Sequence, residues 1–218
     1  MWDNATIMML VEGTFVTLYM TLLSTFMGYV LGLPMGIALV ITAPKGLRPN
    51  KIIYKILDVI VNIVRSIPFL ILLILVIPLT RIIVGQSYGP TATIVPLTLA
   101  AAPFIARMVE SSLLEVDPGV IEAAQSMGAN IWTIIWKVMI GEAKTSLIGT
   151  IALGTILGYS AMAGAVGGGG LGDIAIRYGY YRYQTDIMLV TVVLLVLLVQ
   201  LLQYIGMTIS KKLDKRTR

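Results

Sequence analysis

Thiols and imidazoles supply most protein nucleophiles, proton shuttles and soft-metal ligands, and this 218-residue sequence has no cysteine and no histidine. Disulfides, Cys/His zinc or haem sites and histidine acid–base catalysis are excluded. Two other spacings have a chemical reading. Gly167, Gly169 and Gly172 satisfy G-x-G-x-x-G, with Asp186 roughly 20 residues on, as a dinucleotide site asks. That fingerprint works only between a strand and a helix of a βαβ unit, whereas here a long apolar run precedes it. The run from Gly167 to Gly170 reads better as a turning segment at the end of a membrane span. No G-x-x-x-x-G-K-[ST] occurs, so the chain is not expected to hydrolyse ATP through a P-loop. The second spacing is Asp58, Asn62 and Arg65, at i, i+4 and i+7 on one helix face. It allows an ion pair, but Arg65 followed by Ser66, Ile67, Pro68 and Phe69 better suits anchoring at a membrane interface. No nucleophile, base and metal-ligand constellation supports an intramembrane enzyme.

The elements that position these residues must be membrane spans. The chain is 57% hydrophobic and 12% charged, against roughly 45–50% and 25% for a soluble domain. A hydrocarbon core about 30 Å thick needs about 20 apolar residues in a helix, because only internally bonded backbone survives there. Five segments qualify, at approximately 14–41, 59–79, 91–108, 146–166 and 187–209. The third is short and holds Pro96 and Pro103, but Arg107 can reach toward headgroups and extend it. The expected fold class is all-α: a polytopic membrane protein with five transmembrane helices, one domain over residues 1–218.

Lysine and arginine in short loops are retained on the cytoplasmic side. Lys45, Arg48, Lys51 and Lys55 follow span 1; Arg107, Lys137 and Lys144 follow span 3; Lys211, Lys212, Lys215, Arg216 and Arg218 form the tail. The other side holds Arg81, Arg177 and Arg182, and the N-terminal segment carries only Asp3 and Glu12. The N-terminus is expected outside and the C-terminus in the cytoplasm. Net charge +5 and pI near 9.5 reflect these flanks, so no nucleic-acid partner is expected. The first span lacks a basic n-region and exceeds a signal-peptide h-region, so no cleaved leader is expected.

Gly28, Gly32 and Gly36 strip one face of span 1, which should pack closely on protein. Gly154 and Gly158 begin a similar stripe in span 4, which should also be surrounded by protein. Span 5, nearly all Leu, Val and Ile, is the candidate lipid-facing helix. Pro34, Pro68, Pro78, Pro96 and Pro103 fall inside spans and should kink them, either as static packing features or beside a pathway. With no Asp or Glu deep in a span, proton coupling is disfavoured.

Between spans 3 and 4, at about 115–141, lies a patterned loop. Asp117 can cap a short helix with Pro118 in its first turn and Gly128 ending it. Asn130 can cap a second helix running toward Met139, with Ile131, Ile134, Ile135, Val138 and Met139 as its apolar face and Trp132 and Trp136 near the interface. Glu122, Ala123, Ala124 and Gly128 resemble the first half of the EAA motif of the permease subunits of ATP-binding-cassette importers. The second half usually ends Ile-x-Leu-Pro; here Val138, Ile140 and Gly141 stand at those places, and the proline is absent. The resemblance implies a type I importer permease fold, in which this cytoplasmic coupling helix fits a groove on a separate ATPase. Ala123 and Ala124 would let the helix sit close to that partner, and Glu122 suits the helix dipole.

The likeness covers nearly the whole chain and is closest to methionine importer permeases. It is carried by Arg65-Ser66-Ile67-Pro68-Phe69, by Ala102-Pro103-Phe104-Ile105-Ala106-Arg107-Met108-Val109-Glu110, and by Gly158-Tyr159-Ser160-Ala161-Met162 leading into Gly164-Ala165-Val166-Gly167. It implies import of methionine, D- or L-, across a bacterial inner membrane by alternating access. The implied assembly has a second copy of the chain, two ATPase subunits that bind ATP and Mg, and an extracytoplasmic methionine-binding protein, all in the lipid bilayer; this chain would hold no cofactor and be no enzyme. A thioether suits an apolar, polarizable lining, so Met162, beside Tyr159 and Ser160, is a candidate gate, with ordinary packing as its alternative. The rival readings are a permease of the same class for another amino acid or small solute, and an ion-coupled secondary carrier.

Overall fold

Asp3 caps the first helix, accepting hydrogen bonds from the Thr6 hydroxyl (2.7 Å) and the Thr6 N–H (2.9 Å), which hold its carboxyl below the usual aspartate range. From there α1 runs over Asn4–Thr42, well before the expected start of the first span. A computed structural model describes residues 3–147 and 150–213, and among them every regular element is helical.

Asn50 starts α2 (Lys51–Ser66) by accepting from the N–H groups of Ile52 and Ile53, both at 3.1 Å. The stretch 59–79, expected as one span, is instead broken. Proline lacks an N–H and drives the residue before it out of the helical region, and Ile67 before Pro68 is extended. The chain then resumes as α3 (Phe69–Leu75), bent 107° from α2, and α4 (Ile77–Val84). By contrast, α5 (Pro90–Leu114) carries Pro96 and Pro103 internally as one helix, with both prolines buried.

Three described helices are long and apolar enough to cross a membrane: α1, α5 and, within α11 (Thr185–Leu213), the stretch Thr185–Ser210. The bent α2–α3 pair makes a fourth. The fifth is shorter: α9 (Thr150–Ala163) contributes to an apolar helical stretch over Gly154–Val166. Residues 148 and 149 of the expected fourth span, and Lys215, Arg216 and Arg218 of the basic tail, lie outside the described residues.

The pairing of α1 with α5 is the spine of the fold. Gly28, Gly32 and Gly36 are buried against α5: a Cβ on Gly28 would come 2.8 Å from the Ala101 Cβ, and one on Gly36 2.6 Å from the Ala106 carbonyl oxygen. Met20, Leu97, Ile105, Val109 and Leu113 fill the core along this seam. Thr17 and Thr25 are buried in α1, and their hydroxyls donate to carbonyls one turn back, at 2.8 and 2.6 Å, which pairs these two polar groups within their own helix. The glycines of α9 behave differently. Gly154 faces Gln203 of α11, whose Nε2 would lie 3.2 Å from an added Cβ, but a Cβ on Gly158 would meet nothing within 4 Å. The expectation that span 4 is wrapped by protein therefore fails at Gly158 within a single chain. Helix α11 buries Thr191, Leu198 and Leu202 and exposes Leu189, Val193 and Leu197.

The glycine-rich segment turns the chain from α9 into α10 (Gly170–Ile174), with Gly167, Gly169 and Gly170 all at positive φ. It is docked: the Gly89 N–H donates to the Gly167 carbonyl (3.0 Å) and the Leu171 N–H to the Thr17 hydroxyl (2.9 Å). No strand precedes it among the described residues, so the dinucleotide reading has no structural support.

Candidate functional site

At the end of the bundle opposite the glycine-rich turn, α6 (Pro118–Ser126) stands out on the loop after α5. The Asp117 carboxylate accepts from the Gly119 N–H at 2.7 Å, and Pro118 occupies the first turn. The helix ends in a Schellman motif: the Ala129 N–H donates to the Ala124 carbonyl (3.1 Å) and the Gly128 N–H to the Gln125 carbonyl (2.9 Å). Gly128 makes this stop possible at φ +78°, a conformation that costs other residues about 1–2 kcal/mol.

The two alanines of α6 point in different directions. Ala124 is buried in the core cluster with Val40, Leu113, Ile134 and Met139, so it anchors the helix to its own chain. That differs from a role for both alanines against a partner. Glu122 and Ala123 are exposed, and Val120 and Met127 flank them with 43% and 81% exposure. The exposed surface of α6 thus combines Val120, Ala123 and Met127 with the polar Glu122, Gln125 and Ser126. A cleft of about 460 Å³ separates it from the end of α1, lined by Leu47, Leu113, Glu122 and Met139 among others.

Asn130 caps the next helix, accepting from the Thr133 N–H at 2.8 Å. That helix does not stop near Met139. It continues from α7 (Ile131–Thr133) through a wide π-type turn at Ile134–Met139 into α8 (Ile140–Leu147), passing through Gly141 where the resembled motif has proline. With no proline ring at Gly141, the backbone N–H is kept and the helix needs no break. Ile134, Ile135 and Met139 are buried, while Trp132 and Trp136 are exposed.

The candidate gate residues do not share one surface. Tyr159 stacks on Phe69, centroids 4.8 Å apart and planes at 8°. Ser160 is buried, donates to the Leu157 carbonyl (2.8 Å) and lies 3.4 Å from the Thr21 hydroxyl of α1. Only Met162 is open, at 49% exposure.

Arg107 does not reach outward. Its guanidinium pairs with Asp58 of α2, donates to the Asn62 side-chain oxygen at 2.9 Å, and pairs with Glu110 of its own helix at 2.5 Å. The ion pair allowed by the Asp58–Asn62–Arg65 spacing therefore forms with Arg107 and not with Arg65, which is exposed. Sequence spacing could not reveal this, because the partners lie on different helices.

A bundle of long apolar helices, one pair of them sharply bent, with a capped short helix held outside it has the architecture of a helical membrane protein. Residues 28–218 match the family described as the inner membrane component of binding-protein-dependent transport systems, and the chain belongs to that family. It is 50% identical over 95% of its length to a probable D-methionine transport system permease protein MetI of Vibrio cholerae, covering 93% of that protein. Its identity to the D-methionine transport system permease protein MetI of Escherichia coli strain K12 is 52% over 72% of this chain and 73% of that one. Its fold matches a chain of the MetNI methionine ABC transporter in inward-facing conformations with TM-score 0.96 and 49% identity, over 98% of this chain and 100% of that one. A crystal structure of an amino acid ABC transporter with histidines shares the fold at TM-score 0.77 and 18% identity, covering 97% and 99% of the two chains.

Proposed function

We propose that this chain is the membrane-spanning half of a methionine importer, D- and/or L-, whose energy comes from a separate ATPase bound at α6. The observation that carries the reading is the full-length match to the methionine transporter chain at TM-score 0.96. Supporting it is the face of α6, where exposed Ala123, Val120 and Met127 around Glu122 suit a shallow groove on another protein. Ala124, buried beneath that face, ties α6 to the ends of α1 and α5, so a push on the helix reaches both spans.

A second copy supplies the other body for alternating access, since five spans contain no pair of matching halves. The open face of α9, with Gly158 and Met162 unpartnered inside one chain, suits that copy or the conduit between the two. Met162 is the candidate gate, its thioether supplying a polarizable stopper. The ATPases hold ATP and Mg, and a binding protein delivers methionine to the glycine-rich side. The excess of Lys and Arg around residues 45–55 and on the α6 loop supports a cytoplasmic α6 and an N-terminus outside.

The test is co-expression with the cognate ATPase. Glu122→Arg should abolish co-purification or methionine-stimulated ATP hydrolysis while the permease still reaches the membrane. Undiminished complex formation and hydrolysis would contradict the docking role, and uptake of another solute in preference to methionine would reassign the cargo.

A further inference from the structure

The broken second span has two chemically opposite sides. At about 100° per residue, Lys51, Lys55, Asp58, Asn62, Arg65 and Ser66 fall within one arc of about 100° on α2, and the remaining surface is apolar except for Tyr54. The apolar arc is open, with Ile52, Ile56 and Ile63 at 73%, 55% and 57% exposure, and suits hydrocarbon. The polar arc does not. Within it Asp58 and Asn62 are engaged by Arg107, and Lys51 and Lys55 sit in the first turns. Arg65 is left exposed in the last turn, with no carboxylate partner among the described residues.

Its depth argues against anchoring at an interface. Three residues before Arg65, Asn62 is held by Arg107, about 10 Å inside the loop end of α5. Four residues after it, Phe69 stacks on Tyr159, about 10 Å inside the glycine-rich end of the fourth span. Arg65 is therefore bracketed between the two ends of the bundle. A guanidinium at that depth must face water or an anion, because hydrocarbon satisfies none of its donors.

We infer that the polar arc of α2 lines the aqueous conduit of the assembled permease and that Arg65 binds the carboxylate of the amino acid in transit. The inference rests on the function proposed above. A guanidinium presents two parallel N–H donors that match a carboxylate, and no side chain does so better. Ser66 is exposed beside it, with its hydroxyl donating to the Asn62 carbonyl at 2.8 Å. The Phe69–Tyr159 stack follows four residues on, across the break at Pro68, and Met162, three residues beyond Tyr159 on α9, offers an open apolar contact for the cargo's side chain.

The absence of native cysteine makes the chain a ready background for single-cysteine labelling. In the reconstituted permease–ATPase–binding-protein complex, Asn62→Cys and Ser66→Cys should react with a membrane-impermeant thiosulfonate at least tenfold faster than Ile56→Cys and Ile63→Cys. At Ser66→Cys, the rate ratio of an anionic to a cationic reagent should fall at least threefold when Arg65→Gln is added. Methionine imported per ATP hydrolysed should fall at least tenfold in Arg65→Gln and less in Arg65→Lys, which keeps the charge. Equal labelling of both arcs, an unchanged reagent ratio, or Arg65→Gln coupling equal to wild type would each overturn the inference. If the wild-type complex imports no methionine, the function proposed above falls with it; normal wild-type import with an indifferent Arg65→Gln overturns the carboxylate site alone.

Discussion

Phe69 of α3 and Tyr159 of α9 stack with centroids 4.8 Å apart and planes 8° from parallel, so the segment after the break at Pro68 is held directly against the fourth span. The contact ties the segment just beyond the break, four residues after Arg65, to the helix that carries Met162.

Such aromatic pairs contribute about 0.5–1.5 kcal/mol beyond the area they bury. A double-mutant cycle of Phe69→Leu and Tyr159→Leu, read as the apparent melting temperature in detergent, should show coupling of that size. Strict additivity would mean the rings pack independently.

Arg107 serves Asp58, Asn62 and Glu110 together, so its loss strands the most. Glu110 is buried and would be left without its cation. A partly exposed pair lies between the roughly 0.2–1 kcal/mol of surface pairs and the roughly 3–5 kcal/mol cost of breaking a buried one. Arg107→Ala should lower detergent stability by about 1–3 kcal/mol, and Asp58→Ala by less, because Arg107 keeps Glu110. The reverse order in a thermal-shift series would refute the network.

The α1–α5 seam and the α9 stripe should answer differently to the same added methyl. On Gly32 it would come 2.5 Å from the Ala102 carbonyl oxygen, whereas on Gly158 it meets nothing within 4 Å of this chain. Gly32→Ala should cost about 1–3 kcal/mol through overpacking. Gly158→Ala should leave the single chain within about 1 kcal/mol of wild type, on the stabilising side. Thermal melts of monomeric chain in detergent measure both.

Gly128 ends α6 at φ +78°. Gly128→Val should weaken ATPase binding more than Gly128→Asn, since asparagine tolerates the left-handed region and β-branched residues do not. Pull-down with the ATPase reads the ranking; equal losses would point to a contact at this position and not to the turn.

Local chemistry is what the sequence made readable. Asp117, Asn130 and Gly128 act within a few residues of themselves, and each makes the cap or stop that its type suggests. Gly28, Gly32 and Gly36 needed only helical periodicity to mark a packing face, although nothing in their spacing named α5 as the partner. What stayed hidden depends on distant parts of the chain. The Asp58–Arg107 pair joins two helices, so Arg107 read as a headgroup anchor and Arg65 as the local partner. Proline alone did not separate the break at Pro68 from the continuous helices through Pro34, Pro96 and Pro103. Ala124 and Ala123 look identical in sequence, and only tertiary packing separates the anchor from the open face.

Uptake of labelled methionine into proteoliposomes, with the chain reconstituted with and without the ATPase subunit, tests the central claim most directly. The account predicts ATP-dependent, vanadate-sensitive uptake only when the ATPase is present, and its loss when Ala123→Arg places a bulky charge on the open face of α6. Uptake by the chain alone, or undiminished uptake with Ala123→Arg, would contradict it.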